Sequence, residues 1–195
     1  HPITRIILHP EYYTLFAIPV HDVAVLRLEV SLPHEAIVQL PPVGFKDIHC
    51  KGLPMYVSGY GATHSDATTT YPYIMQGRVA GISANDCVAK YDVEFHSHHF
   101  TQANGHTITD SVLRDVAMCA TATDESGRVT DACLGDSGGA LIMNTYRHDV
   151  PLVQRIEPFI VGIVSWGYGC ANEAYPGVYT NVSAYIGFIC NVAAE

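Results

Sequence analysis

Short apolar or alternating runs dominate the chain, and Gly, Pro, Asn, Asp and Ser separate them. Many short runs at such spacing predict β-strands, and strands of this kind build a sandwich or a barrel. We therefore expect an all-β fold. The runs are 5–8 (RIIL), 23–28 (VAVLRL), 55–61 (MYVSGYG), 73–82 (YIMQGRVAGI), 116–120 (VAMCA), 140–143 (ALIM), 159–167 (FIVGIVSWG) and 177–182 (GVYTNV).

Two segments have a helical pattern instead. Residues 84–91 (ANDCVAKY) follow Ser83, whose side chain is a favourable N-cap. Residues 183–192 (SAYIGFICNV) place apolar side chains at near-helical spacing and follow Asn181. Asn181-Val-Ser183 is also a glycosylation sequon, but we favour a capping role for Asn181.

Two stretches, 90–107 and 144–158, are predicted to be long surface loops. The first contains His96, His98, His99 and His106. His96 and His98 would share one face of an extended chain, which makes a metal site one interpretation. Solvated loop histidines are the interpretation we favour, so we assign no metal and no cofactor to this chain.

Composition narrows the class of protein. Of the 195 residues, 48% are apolar and 15% are charged, which allows a sizeable core. The net charge of −9 disfavours nucleic acid and anionic membranes as partners, and would favour substrates rich in Lys or Arg. No apolar run reaches the length of a membrane span. The opening HPITRIILHPEYY resembles no signal peptide and suggests a mature or cleaved fragment.

The cysteines indicate an oxidising compartment. Six are dispersed along the chain without a CxxC pair, which fits disulfides better than zinc. Secretion is therefore the expected localisation. Fifteen pairings of six cysteines are possible, and their spacing alone does not choose among them.

The segment 131–139 (DACLGDSGG) carries the strongest chemical pattern. A serine hydroxyl needs a base to take its proton and donors that hold the developing oxyanion. Glycines on both sides of Ser137 allow a sharp turn and leave backbone N–H groups, those of Gly135 and Ser137, free to point into a site. A structural Gly-rich hairpin is the alternative interpretation.

Six motifs in order resemble those of the chymotrypsin–trypsin family of serine proteases, and they extend over essentially the whole chain. The resemblance implies two six-stranded Greek-key barrels, the first incomplete here, and a C-terminal α-helix. We expect residues 1–45 to supply the remaining strands of the N-terminal barrel, 46–182 the C-terminal barrel and 183–195 the helix. The motifs are HDVAVLRL (21–28), VSGYG (57–61), MCA (118–120), DACLGDSGGAL (131–141), IVSWGYGCA (163–171) and PGVYTNV (176–182).

The resemblance implies a catalytic role for several of these residues. Ser137 corresponds to the nucleophile, and the N–H groups of Gly135 and Ser137 correspond to the oxyanion hole. Asp22 corresponds to the buried acid that orients the catalytic histidine. Without the family, Asp22 is only an acid at the start of an apolar strand. Ser165, Trp166 and Gly167 correspond to the strand that pairs with the substrate backbone.

The resemblance also implies a preference for basic substrates. Asp131 corresponds to the carboxylate at the base of the primary pocket, which recognises Arg or Lys. Gly167 and Gly177 correspond to pocket walls where a side chain would block a long basic group. Ala132 stands where trypsins often have Ser, which removes one partner for a lysine ammonium. We therefore expect Arg to be preferred over Lys.

Asp136 corresponds to the family's activation switch, in which a new N-terminal ammonium inserts and pairs with this carboxylate. Family pairs also imply the disulfides Cys133–Cys170 and Cys87–Cys119. Counting then leaves Cys50 and Cys190, which we expect to join the C-terminal helix to the barrel.

The catalytic histidine of the family has no counterpart here. Of the histidines upstream of Asp22, neither His1 nor His9 has the expected setting, and His21 would point to the opposite face of an extended segment. The Ile-Val-Gly-Gly start that would reach Asp136 is also absent. We expect the N-terminal piece of the same protease to bind non-covalently as a second chain and to supply the histidine.

Two functions follow from this pattern. The first is a serine endopeptidase that acts on Arg- or Lys-containing proteins or peptides through an acyl-enzyme on Ser137. The second is a catalytically inactive, protease-like binding protein that lacks the general base. A third candidate function, metal binding, comes from the His-rich loop and not from this pattern. A protein inhibitor is a further candidate partner.

Overall fold

The computed structural model describes residues 1–15, 18–42, 44–45, 50–97, 114–123, 128–147, 155–172 and 174–194. His98, His99 and His106 of the predicted loop lie outside these residues. The strands and α-helices are β1 Ile3–Leu8, β2 Tyr13–Leu15, β3 Ile18–Val20, β4 Ala24–Leu28, β5 Pro54–Gly59, β6 Met75–Ile82, α1 Ala84–Ser97, β7 Ala117–Thr123, β8 Val129–Thr130, β9 Ala140–Arg147, β10 Arg155–Trp166, β11 Gly177–Asn181 and α2 Ile186–Ala193.

A closed antiparallel barrel forms the larger part of the molecule. Its strands pair in the order β11-β10-β9-β5-β6-β7, and β11 pairs back with β7 to close the ring. β8 extends the sheet as a short partner of β7. The predicted all-β fold with a C-terminal helix is confirmed. All eight predicted strands are present.

The barrel interior follows the two-residue alternation of its strands. Met55 and Val57 of β5 face Leu141 and Met143 of β9 across the same ladder, and all four are buried. Cys50 packs in the same core cluster. Alternate residues of a strand point to opposite faces, so this spacing directs one side of each strand into the core.

Strands β1 to β4 lie outside this barrel. β1 pairs with β4, and β2 pairs with β3. The β1–β4 pair leaves large apolar side chains in solvent: Ile6 is 62% exposed, Leu8 60% and Leu26 48%. An exposed apolar surface of this kind can mark a contact site for a protein, a membrane or a ligand. The expected division at residues 45/46 and 182/183 stays a prediction.

The capped N-terminus of α1 is confirmed, but the helix is longer than predicted. The Ser83 hydroxyl accepts a hydrogen bond from the Asp86 amide at 3.1 Å. The helix continues to Ser97, so the loop expected from residue 90 does not begin there. The loop expected at 144–158 is also shorter, because β9 and β10 remain paired as far as Arg147 and Arg155.

At the C-terminus the predicted helix is divided in two. Residues Val182–Tyr185 form a 3₁₀ turn, and α2 follows directly. Asn181 caps the turn, since its side-chain oxygen accepts from the Ser183 amide at 3.2 Å and from the Ser183 hydroxyl at 2.7 Å. Asn181 is only 8% exposed, and its predicted capping role is confirmed.

Two of the three expected disulfides are present. Cys87–Cys119 joins α1 to β7, and Cys133–Cys170 joins the Ser137 loop to the segment after β10. The expected Cys50–Cys190 pair is wrong: Cys50 is buried in the barrel beside the Met143 sulfur, whereas Cys190 is exposed on α2. Neither described α-helix has the length and apolar character required to cross a bilayer.

Candidate active site

Ser137 lies in a tight turn that is anchored on the barrel. The amide of Gly138 donates to the Val164 carbonyl, and the Val164 amide donates to the Gly139 carbonyl, both at 2.9 Å. Gly135 and Gly138 have φ values of +94° and +81°, which L-residues with side chains rarely adopt. This geometry leaves Ser137 exposed at the surface of the turn.

The two amides expected to form an oxyanion hole are accessible. Within the described residues, neither the Gly135 N–H nor the Ser137 N–H donates to a protein acceptor. The Asp136 amide between them turns the other way and donates to the Cys133 carbonyl at 3.0 Å. Backbone donors without a protein partner can hold a developing negative charge.

The Asp136 carboxylate points away from Ser137, toward a site made by two glycines. It accepts from the Gly61 amide at 2.8 Å and from the Cys133 amide at 2.9 Å. A Cβ at Gly59 would lie 2.0 Å from this carboxylate, and one at Gly61 would lie 2.4 Å from it. Glycine at both positions is therefore a steric requirement of this arrangement.

A cavity of about 190 Å³ adjoins the same carboxylate. Gly59, Gly61, Ala62 and Met75 line it together with Asp136. This space is large enough for a short chain terminus, and the only described charge in its lining is the Asp136 carboxylate.

Asp22 precedes β4 and is fastened to the barrel from two sides. Its carboxylate accepts a hydrogen bond from the Ser165 hydroxyl, and its backbone carbonyl accepts one from the Thr180 hydroxyl, both at 2.7 Å. The residue is half-buried, not fully buried as expected. These bonds fix the position of Asp22 relative to β10 and β11.

Asp22 and Ser137 face one cavity of about 490 Å³. Apolar side chains of β1 and β4, including Leu8 and Leu26, form its other wall. No histidine is among the described residues that line it. The carboxylate and the hydroxyl that the family uses for catalysis therefore line one shared space.

A second cavity, of about 320 Å³, opens on the other side of Ser137 and contains Asp131. All the residues that the sequence predicts for the substrate pocket line this cavity. A Cβ at Gly177 would lie 2.3 Å from the Asp131 carboxylate, so glycine keeps this space open. The predicted residues in its lining are Asp131, Ala132, Ser137, Ser165, Trp166, Gly167 and Gly177.

Burial raises the pKa of Asp131 to about 6. Hydrogen bonds from the Ala132 amide at 2.8 Å and the Ala171 amide at 3.3 Å oppose this shift, and the negative charge of Asp136 adds to it. A carboxylate with few donors in a largely apolar pocket gains most from a cationic ligand, because the ligand replaces lost hydration.

Sequence reasoning missed residues that build the pocket wall. Ser65 lines the pocket, and its hydroxyl accepts from the Cys170 amide at 2.9 Å. Tyr91 of α1 packs edge-on against the Trp166 ring, with 5.1 Å between ring centroids, and donates to the Pro176 carbonyl. Both contacts join residues that are far apart in sequence, so no local motif predicts them.

Comparison with known proteins gives a consistent result. The family model described as Trypsin matches residues 1–189. Transmembrane protease serine 7 of Rattus norvegicus is 34% identical over 96% of this chain, and transmembrane protease serine 5 of Homo sapiens is 32% identical over 99% of it. The chain spans only 19% and 36% of the lengths of these two relatives.

The contact between Gly61 and Asp136 gives a stability test. In Gly61→Ala the added methyl group would displace the Asp136 carboxylate and leave its amide donors unpaired, so we expect a loss of about 1–3 kcal/mol in unfolding free energy. Gly187→Ala is the control: it lies in α2 with no atom near its Cβ position, and we expect a gain of roughly 0.5–1 kcal/mol. Urea denaturation measures both. Equal stability of the two variants would contradict the role given to Gly61.

Proposed function

Because this chain belongs to the trypsin family of serine proteases, we propose that it is the larger part of an endopeptidase that cleaves after Arg or Lys. The observation that carries the proposal is the shared cavity of Asp22 and Ser137. An acid fixed on one side of that space and a hydroxyl on the other suit an imidazole placed between them.

We propose that this imidazole comes from polypeptide outside these 195 residues. It takes the proton of the Ser137 hydroxyl as Oγ attacks the substrate carbonyl, and Asp22 stabilises the imidazolium. The N–H groups of Gly135 and Ser137 hold the oxyanion. The imidazolium then gives its proton to the leaving amine. In the second step the imidazole takes a proton from water as the water oxygen attacks the acyl carbon, and it returns this proton to Ser137 Oγ as the ester bond breaks.

The exposed apolar face of β1 and β4 supports a non-covalent companion chain, as the sequence predicts. Ile6 and Leu8 project from β1, and Leu26 projects from β4. Covering such a face removes apolar area from water, which stabilises association without a disulfide. The two disulfides indicate an oxidising, extracellular setting for the assembled protease.

The cavity beside Asp136 supports activation by a new N-terminus. An ammonium group entering it would meet the only described charge in its lining. Because Asp136 adjoins both Ser137 and Gly135, pairing there would stabilise the turn that carries the oxyanion donors.

Labelling with a fluorophosphonate probe tests the proposed activity. We expect the intact two-chain protein to be labelled at Ser137, because only an activated hydroxyl attacks phosphorus rapidly. Ser137→Ala should abolish labelling, while the exposed Ser31→Ala serves as the control and should label normally. If the folded, assembled protein is not labelled, the chain is a binding protein with a protease fold.

The pocket predicts a preference that peptide substrates can measure. With Ala132 beside Asp131, a lysine ammonium has fewer partners, whereas a guanidinium can make a two-pronged contact. We expect kcat/KM to favour Arg over Lys by roughly 10-fold, which corresponds to about 1.4 kcal/mol. Ala132→Ser should lower the Arg-to-Lys ratio of kcat/KM, because the added hydroxyl raises kcat/KM for the Lys substrate. An unchanged ratio would show that the residue at position 132 does not set the preference.

The raised pKa of Asp131 predicts pH-dependent binding of benzamidine, a cation that carries its charge throughout this range. Only the ionised carboxylate attracts the cation, so affinity should fall as pH drops through about 6, approaching 10-fold per unit well below it. The Ser137→Ala protein allows calorimetric titration without turnover. Asp131→Asn should bind weakly at every pH, and a wild-type affinity independent of pH between 4 and 8 would contradict the assignment.

A further inference from the structure

A cluster of side chains that could bind a metal ion includes the residue next to Asp22. His9 and Glu11 follow β1, and His21 immediately precedes Asp22. One ligand atom from each of the three residues lies within 4.8 Å of the others. The two imidazole rings stack nearly parallel, with 5.1 Å between centroids and 13° between planes.

One nitrogen of each ring already has a partner, and the other does not. His9 Nδ1 accepts from the Glu11 amide at 3.2 Å, and His21 Nδ1 is 3.1 Å from the Tyr185 hydroxyl. Within the described residues, Nε2 of each ring has no hydrogen-bond partner. His21 can take the usual arrangement of a metal-binding histidine, in which Nδ1–H donates to an outer partner, here the Tyr185 hydroxyl, and Nε2 binds the ion. In His9 the accepting Nδ1 carries the lone pair, so this nitrogen is the ligand atom, and zinc would replace the 3.2 Å bond from the Glu11 amide.

The surroundings are negative and contain no described cation partner. Burial raises the pKa of the Tyr185 hydroxyl, and the charges of Asp22 and then Glu11 raise it further, which places both carboxylates near this phenol. The Glu11 carboxylate is exposed and forms no described ion pair. A cation bound here would relieve the repulsion among these groups.

We propose that His9, Glu11 and His21 bind a Zn²⁺ ion, and that the ion displaces the neighbouring Asp22 and so inhibits the protease. The proposal that the cluster binds zinc depends only on these three residues. The proposal that zinc inhibits cleavage rests on the proposed function. Two imidazoles and one carboxylate are a zinc donor set, whereas Ca²⁺ and Mg²⁺ require mostly oxygen ligands. A fourth position remains open for water.

The observed spacing requires a small rearrangement when the ion enters. Tetrahedral zinc with bonds of about 2.0–2.1 Å holds its ligand atoms about 3.3 Å apart. Nearly parallel rings cannot both direct in-plane lone pairs at one ion, so at least one ring must tilt. The exposed Glu11 side chain can follow by changing rotamer.

His21 transmits this movement to the acid. Its φ of +52° is a left-handed conformation that is strained for a residue with a side chain, and its ring is tied to Tyr185. The carbonyl of the peptide that it shares with Asp22 accepts from the Val23 amide at 2.8 Å, so His21, Asp22 and Val23 form one tight turn. A tilt of the His21 ring that moves this turn also moves the Asp22 carboxylate, whereas the described hydrogen bonds of Asp131 come from the Ala132 and Ala171 amides and not from the turn. His21 is thus a positioning residue, and zinc should lower kcat while leaving KM for an Arg peptide nearly unchanged.

Calorimetric titration with Zn²⁺ and the visible spectrum of bound Co²⁺ test the site on the intact assembled protein. His9→Gln, Glu11→Gln and His21→Asn should each weaken binding by more than about 10-fold, since even the outer partners of zinc ligands account for 10- to 100-fold. Glu11→Gln is exposed and nearly isosteric, so it keeps the test valid if a histidine variant fails to fold. His34→Gln, an exposed histidine outside the cluster, and His98→Gln/His99→Gln in the His-rich segment should bind Zn²⁺ as the wild type does.

The outcomes separate the two proposals. Zinc binding that survives Glu11→Gln, or that is lost in the His98/His99 variant, overturns the site. Zinc binding at the site without any effect on kcat overturns the proposal that zinc inhibits the protease. If the protein binds zinc through the cluster but cleaves no substrate, the proposed protease function fails and the metal site stands.

Discussion

Two hydrogen bonds to Asp22 hold the segment before β4 against the barrel. The Ser165 hydroxyl binds its carboxylate and the Thr180 hydroxyl binds its carbonyl. Ser165 belongs to β10, which also anchors the Ser137 turn through Val164. One strand therefore positions both the acid and the nucleophile, and the cavity between them has a fixed shape. Any shift of Asp22 relative to β10 would change the place that an imidazole must occupy.

The site residues that the sequence predicts best belong to local motifs. The turn around Ser137 depends on the positive φ values of Gly135 and Gly138. Glycines at these positions predict such a turn from the local sequence alone. Alternating apolar residues likewise predict the barrel strands, because burial of one face needs a period of two. Asp131 and Asp136 are located through the same nine-residue segment. Only the structure shows their environments: burial raises the pKa of Asp131, and two backbone amides donate to the Asp136 carboxylate.

Contacts between distant segments were the part that sequence could not supply. Counting cysteines suggested Cys50–Cys190, but Cys50 lies in the barrel core and Cys190 on the surface of α2. The sequence predicts a helix over 84–91 and a loop from residue 90, whereas the helix continues to Ser97. The stacking of His9 on His21 depends on where β1 and the Asp22 segment meet, and neither sequence nor spacing gives that. The zinc proposal arises from such a contact, and it would link metal binding to the same acid that the two hydrogen bonds fix.

A crystal structure of the intact protein with a peptidyl-arginine boronate, which forms a tetrahedral adduct with an activated serine, would show whether Asp22 and Ser137 share one catalytic imidazole. We expect a boron–Oγ bond at Ser137, the guanidinium paired with Asp131, and an imidazole from outside these 195 residues bonded to both Asp22 and the adduct. An adduct whose Asp22–Ser137 cavity is filled without any imidazole would contradict this expectation.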